Sequence, residues 1–152
     1  MKSFAVQYTF SQHFDFPARR AYEWCTDFEP GDIELGGQSG ARRIRWLNED
    51  TVVLTDTYFD GKSKVVKKRL VRLYPKILSW TNTRISVDGK YSQFLYQILP
   101  ERGGSRLVFT GNQLFPGAAS ASKRASRAKQ IRKEDSAEWR IFARAMAKDL
   151  AR

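Results

Sequence analysis

Residues 134–152 read EDSAEWRIFARAMAKDLAR, and this stretch decides how the rest of the chain must fold. Its apolar residues recur at steps of three and four with charged residues between them, which is the pattern of an amphipathic helix. The apolar stripe contains Trp139, Phe142, Ala143, Met146, Ala147, Leu150 and Ala151. A single helix of this kind is not stable alone in water. It therefore needs an apolar surface supplied by the preceding part of the chain.

Most of the chain before residue 116 has the pattern of β-strands. Residues 3–14 alternate between apolar and polar side chains, as expected of a half-buried strand. Further strands are predicted from residue 41 to the turn at 48–50, and at 51–59, 62–74, 78–85, 91–99 and 106–114. Asp-Gly pairs at 60–61 and 88–89 are hairpin turn signals. Because the links are short, the strands should pair with their sequence neighbours in an antiparallel sheet.

Two segments interrupt the strands. Pro17 predicts the start of a short helix after the first strand, because proline suits the first helical turn. Residues 29–40 carry Pro30 and four glycines, which indicates a loop or a broken short helix, with Ile33 and Leu35 packed onto the core. Residues 116–133 are small, Ser-rich and basic, and we expect helix from about Ser120 with a loosely packed first half.

Composition narrows the class of protein. The 152 residues, 41% of them hydrophobic, favour a single domain over 1–152 with a real core. One cysteine cannot form an internal disulfide, and no stretch resembles a signal peptide or a membrane span, so a cytoplasmic location is predicted.

The net charge of +11 favours an anionic partner. The densest basic runs are Lys62, Lys64, Lys67, Lys68, Arg69 and Arg72, and Lys123, Arg124, Arg127, Lys129, Arg132 and Lys133.

Several kinds of chemistry have no support in the residues. His13 is the only histidine and no cysteine cluster exists, so no metal site is expected. Cys25 falls on the apolar side of the short helix and is interpreted as a core residue. The glycines of residues 36–40 lack the lysine of a phosphate-binding loop. No cofactor is predicted, and no catalytic residue can be named.

The order of elements, together with three motifs, resembles a known superfamily. FDFPARRAYEWCTDFE (residues 14–29) is similar to the opening of the START-like, helix-grip (SRPBCC) proteins, and EWRIFARAMAKDLA (residues 138–151) resembles their last helix. PKILSW (residues 75–80) looks like their middle strand. The resemblance, which extends to the polyketide cyclase/dehydrase and lipid-transport branch, implies an α+β fold. In that fold a seven-stranded curved antiparallel sheet wraps around a long C-terminal helix and leaves a cavity for hydrophobic small molecules.

Hairpin lengths predict which side chains face that cavity. A four-residue loop at 101–104 pairs Ile98 with Leu107 and Tyr96 with Phe109. A three-residue loop at 88–90 pairs Trp80 with Ile98, Asn82 with Tyr96 and Arg84 with Phe94. The predicted ligand-binding residues are Trp80, Asn82, Arg84, Phe94, Tyr96, Ile98, Phe109, Trp139, Phe142 and Met146. Gln113 is a further polar candidate, and Asp135 either meets an arginine in the cavity or helps to cap the helix.

Three functions remain open at this point. The favoured one is binding or carriage of a hydrophobic molecule (a lipid, polyketide or aromatic compound, neutral or anionic). The second is a cyclase or dehydratase that uses a few polar cavity residues, so the residues leave open whether the protein is an enzyme. The third is nucleic-acid binding through the basic runs, which is not favoured because their cations do not share one face and no aromatic-basic RNA motif accompanies them.

Overall fold

A computed structural model describes residues 2–84 and 90–151. The strands are β1 (Ser3–Phe14), β2 (Gly40–Asn48), β3 (Thr51–Asp60), β4 (Ser63–Tyr74), β5 (Ser79–Arg84), β6 (Tyr91–Glu101) and β7 (Gly104–Pro116), and the helices are α1 (Ala18–Thr26), α2 (Asp32–Leu35) and α3 (Ala121–Leu150). A 3₁₀ turn, Pro75–Ile77, joins β4 to β5. The seven strands form one antiparallel sheet in the order β1-β7-β6-β5-β4-β3-β2. The predicted α+β helix-grip architecture is confirmed.

The alternation of β1 shows how the sheet makes its core. Phe4, Val6, Tyr8 and Phe10 are buried, while the residues between them are exposed. Helix α3 packs chiefly along β1, and its Trp139 ring lies 6.4 Å from the ring of Phe14. The burial of one face of the sheet against one stripe of one helix is therefore the main apolar contact of the fold. None of the helices in residues 2–84 and 90–151 is long and apolar enough to cross a membrane.

The strand registers test the hairpin predictions. Ile98 pairs with Leu107 and Tyr96 with Phe109, as predicted. The predicted β5–β6 register is wrong by two residues, because Trp80 pairs with Tyr96 and not with Ile98. The Trp80 and Tyr96 rings stack 4.6 Å apart with 3° between their planes, a contact that the predicted register would lose. An even shift keeps every side chain on its predicted face. Residues 88 and 89 of the predicted turn lie outside the described residues.

The same shift changes the partners of two predicted site residues. Asn82 pairs with Phe94, and Arg84 pairs with Ser92. The predicted partners were Tyr96 for Asn82 and Phe94 for Arg84.

Helix ends show two further differences from expectation. Pro17 is the residue before α1, not its first helical residue. Ile33 is buried as expected, but Leu35 is 41% exposed, because the short helix α2 turns these two side chains in different directions. The start of α3 agrees with prediction, since the Ser120 hydroxyl accepts a hydrogen bond from the Lys123 N–H at 3.1 Å.

Gly111 on β7 provides the first test, because the ring of Tyr8 lies against it. A Cβ at position 111 would stand 2.6 Å from Tyr8 Cζ. We expect Gly111→Ala to reduce the free energy of unfolding in urea by about 1–3 kcal/mol through overpacking. Gly31→Ala is the control, because nothing lies within 4 Å of its added Cβ. In a Tyr8→Ala background, Gly111→Ala should change the free energy of unfolding little, because the ring that it would meet is gone. An equal loss of stability in both backgrounds would contradict a clash between position 111 and the Tyr8 ring.

Candidate functional site

A cavity of about 500 Å³ lies between the inner face of the sheet, the α1–α2 segment and α3. Its apolar wall is largely aromatic and comprises Phe28, Trp80, Phe94, Tyr96, Phe109, Trp139 and Phe142. Several of these rings contact one another, and the Tyr96 and Phe109 centroids are 5.1 Å apart in an edge-to-face arrangement. The volume and lining are typical of small-molecule sites.

The structure places most of the predicted site residues on this wall. Those that line it are Trp80, Asn82, Arg84, Phe94, Tyr96, Phe109, Trp139 and Phe142. Ile98 and Met146 do not line it, since they are 1% and 0% exposed and belong to the closed core. Their placement in the site is therefore corrected to a packing role.

A fully buried carboxylate, Asp56 on β3, fixes the polar end of the cavity. Arg42, directly opposite on β2, donates from Nε to Asp56 Oδ1 at 2.7 Å and from Nη2 to Oδ2 at 3.0 Å. Arg69 on β4 donates to the same Oδ2. Arg42 Nη1 also donates a hydrogen bond to Asp32 Oδ2 on α2 at 3.0 Å. One ionic network therefore ties α2 to three strands of the sheet.

Further cations stand beside this network on the inner faces of β4 and β5. Lys67, Arg69 and Arg84 all line the cavity. Lys67 Nζ lies over the ring of Tyr58, 5.1 Å from its centroid. Burial lowers the pKa of Lys67, and the neighbouring Arg69 and Arg84 lower it further, while the carboxyl groups of the opposite helix act the other way.

Three carboxyl groups of α3 line the cavity: half-buried Asp135 and Glu138, and exposed Asp149, whose Oδ2 accepts from Trp24 Nε1 at 3.0 Å. The Tyr8 hydroxyl donates to Asp135 Oδ2, and Gln113 Nε2 donates to the Tyr8 oxygen at 2.9 Å. Gln38 Nε2 lies 3.4 Å from Glu138 Oε2. Burial raises the pKa of Asp135 and that of Glu138, and for Glu138 the nearby Asp135 charge adds to the rise. The residue that hydrogen-bonds Asp135 is thus a tyrosine, and neither predicted alternative holds: among the described residues no arginine forms a hydrogen bond or ion pair with Asp135, and Ser120 is the N-cap of α3.

The remaining polar groups divide between the deep wall and the rim. Asn82 Oδ1 is buried and accepts no hydrogen bond from any residue that the structure describes. Burial raises the pKa of Tyr96 well above its usual range. At the rim, Asp27 is exposed, and partial desolvation together with the Glu29 and Asp32 charges raises its pKa to about 7. The cavity is therefore cationic at its sheet wall and acidic at its rim and helix.

Lys67, Arg69, Tyr8 and Glu138 were not among the predicted site residues, yet the sequence carries a signal for most of them. Val71 and Leu73 are buried, so the other odd-numbered residues of β4 also point inward. Glu138 precedes Phe142 by four residues, which places both on one helix face. Hydrophobic periodicity alone misses Lys67, Arg69 and Glu138 because their side chains are charged, whereas the alternation of β1 does place Tyr8 on the inner face.

Two other reactive side chains do not add chemistry to the cavity. His13 lies on the outer side of the sheet, where its ring nitrogens contact Glu101 Oε2 at 2.7 Å and Asp15 Oδ1 at 3.0 Å. Cys25 is at the cavity wall, but burial raises the pKa of its thiol and makes it a poor nucleophile. Among the described residues, no group of His, Cys, Asp and Glu is arranged to hold a metal ion.

Known structures share this architecture. TTHA0849 from Thermus thermophilus superimposes with a TM-score of 0.73 at 14% identity, covering 96% of this chain and 99% of its own. The di-domain ARO/CYC StfQ from the steffimycin biosynthetic pathway gives 0.75 at 11%, covering 97% of this chain and 52% of its own. Ara h 8.0201 gives 0.69 at 11%, covering 92% and 99%.

These matches show that the chain has the START-like helix-grip (SRPBCC) fold, as the sequence resemblance implied. At such low identity they show the fold alone. No protein-family model matches the chain, and no curated protein matches it.

The buried carboxylate gives the second test. Asp56→Asn leaves Arg42 and Arg69 without their shared anion in a water-poor site. We expect a loss of about 3–5 kcal/mol in the free energy of unfolding, because breaking a buried ion pair strands the remaining charges. Asp60→Asn, at the exposed end of the same strand, should stay within about 0.5 kcal/mol of wild type. Equal stabilities of the two variants in urea unfolding would show that the network does not stabilise the fold.

Proposed function

We propose that the protein binds or carries a hydrophobic small molecule in the cavity between the sheet and α3. The observation that supports this most directly is the roughly 500 Å³ space with its aromatic wall. Faces and edges of Trp80, Tyr96 and Phe109 offer stacking positions for a planar ring system or an acyl chain. A few polar groups at one end would set the orientation of the ligand.

The names of the structural matches are consistent with this class of ligand. StfQ is described as an ARO/CYC protein of the steffimycin biosynthetic pathway. An aromatic or polyketide-like compound is therefore among the candidates, next to lipids. The identity of the molecule is the question that a ligand screen must answer.

A cavity-filling variant tests the binding function. Ser92 on β6 is buried and lines the cavity, whereas Gln93 on the same strand is exposed on the other face. We expect Ser92→Phe to abolish ligand binding because the added ring occupies the cavity, and Gln93→Phe to leave binding unchanged.

Binding would be read by native mass spectrometry and by thermal shift across lipids, polyketides and aromatic compounds. A ligand present at about 100 times its Kd should stabilise the folded protein by about 2.7 kcal/mol. Far-UV circular dichroism checks that both variants are folded. If wild type binds no compound of the panel and copurifies with none, the proposed function is wrong.

A second candidate function, a cyclase or dehydratase, is favoured by two of the carboxyl groups on α3. A dehydration needs a base to remove a proton next to a carbonyl and an acid to protonate the departing hydroxyl, so that a C=C bond forms and water leaves. Asp135 and Glu138 face one cavity, and burial raises the pKa of both, which is the direction that tunes a carboxyl group toward general acid–base catalysis near neutral pH. Tyr8 would hold Asp135 in place through its hydrogen bond.

Asp135→Asn tests this second candidate. The substrate would be a β-hydroxyketone with an aryl group, whose conversion to the conjugated enone is followed by absorbance. If the protein is a dehydratase, the variant should lose about 10²–10⁴-fold in rate, whereas Glu134→Gln, exposed on the same helix, should keep it. A wild-type rate equal to that in buffer removes this substrate class from consideration.

Nucleic-acid binding stays a prediction without structural support. Two cations of the second basic run pack on sheet aromatics: Lys123 Nζ is 5.8 Å from the Phe4 ring centre, and Arg127 Cζ is 4.9 Å from that of Phe115. These side chains help to seat α3 on the sheet, which accounts for part of the basic composition.

A further inference from the structure

The cations of the cavity wall differ in whether a carboxylate contacts them. Arg42 and Arg69 are matched by the carboxylates of Asp56 and Asp32, which they contact directly. Lys67 lies next to this neutral group, directly across the β3–β4 ladder from Asp56. Both Asp56 oxygens accept from the arginines, and among the described residues no hydrogen bond or ion pair joins this carboxylate to the Lys67 ammonium group.

The carboxyl groups of α3 do not pair with Lys67 either. Within the described residues, no carboxylate forms an ion pair with its ammonium group. Asp135 Oδ2 accepts from the Tyr8 hydroxyl, and Glu138 Oε2 faces the Gln38 amide. Asp135 and Glu138 favour the charged form of Lys67 without contacting it. An anion from outside the chain that contacts the ammonium group directly would stabilise this cation further.

We propose that the cavity ligand carries an organic anion, a carboxylate, sulfonate or phosphate group, which Lys67 binds. Arg84 lines the same wall on the next strand and adds positive potential there. The apolar body of the ligand then lies along Phe94, Tyr96 and Phe109. This inference rests on the proposed binding function and fixes both the chemical class of the ligand and its orientation.

The geometry around Lys67 favours a strong contact. The ring of Tyr58 covers one side of the ammonium group and keeps water from it. An anion arriving at this position exchanges its hydration for a charge-assisted hydrogen bond in a site of low dielectric constant, where such bonds are about twice as strong as neutral ones. A neutral molecule of the same shape gains only the aromatic contacts.

Two fluorescent dyes with the same fused-ring skeleton test the inference. 8-Anilino-1-naphthalenesulfonate carries an anion, and N-phenyl-1-naphthylamine lacks it. In fluorescence titrations, wild type should bind the sulfonate at least tenfold more tightly, the effect expected of one hydrogen bond to a charged group. Lys67→Met should remove that preference and change the affinity for the neutral dye by less than about twofold, because its aromatic contacts are untouched.

Matched variants separate the cavity from the surface. Lys68→Met removes a cation from the outer face of the same strand and should leave both affinities unchanged, while Lys67→Arg should retain the preference for the sulfonate. Equal binding of the two dyes by folded wild type overturns the inference but leaves the proposed function intact, and this comparison needs no variant. The inference is also overturned if the Lys67→Met variant still prefers the sulfonate dye, or if the Lys68→Met variant no longer does. If neither dye binds and the ligand panel fails as well, the proposed function itself is wrong.

Discussion

The buried carboxylate of Asp56 is the constraint on which the cavity depends. A charge with no exposure to solvent must be satisfied by the protein, and Arg42 and Arg69 satisfy it from the two flanking strands. The long arginine side chains are thereby held along the sheet, where they form part of the cavity wall. A polar network at this position keeps the cavity open at the end where an apolar core would have closed it.

The opposite end of the same space is closed by packing. The Trp139 ring on α3 lies 6.4 Å from the ring of Phe14 on β1, and the Tyr22 ring on α1 lies 5.8 Å from that of Trp80. The sheet therefore has two regions under one helix, an aliphatic and aromatic one that is filled and a charged one that is not. The cavity and the closed core occupy different parts of one continuous surface, and the aromatic residues between them border both.

The sequence was sufficient for the fold and for much of the aromatic wall. The helical stripe of α3, the alternation of β1 and the Ile98–Leu107 register all follow from apolar periodicity, which the core enforces. The β5–β6 register did not follow, because an Asp-Gly turn signal fits several loop lengths and two of them leave the same faces inward. Of the charged wall, only Arg84 was predicted. Lys67 was missed because its charge is typical of a solvated residue, and only the burial of Val71 and Leu73 shows which face of β4 points inward.

Gly111 and Tyr8 form a cross-strand pair in which one residue supplies the side chain and the other supplies the room for it. The tyrosine hydroxyl that Asp135 uses is available at that place only while position 111 has no Cβ. Selection on the two positions is thus joint. In related sequences, a glycine at position 111 should occur together with an aromatic residue at position 8. A residue with a Cβ at position 111 should occur together with a smaller residue at position 8. Covariation of the two positions would then mark the sequences in which a tyrosine hydroxyl ties α3 to the sheet.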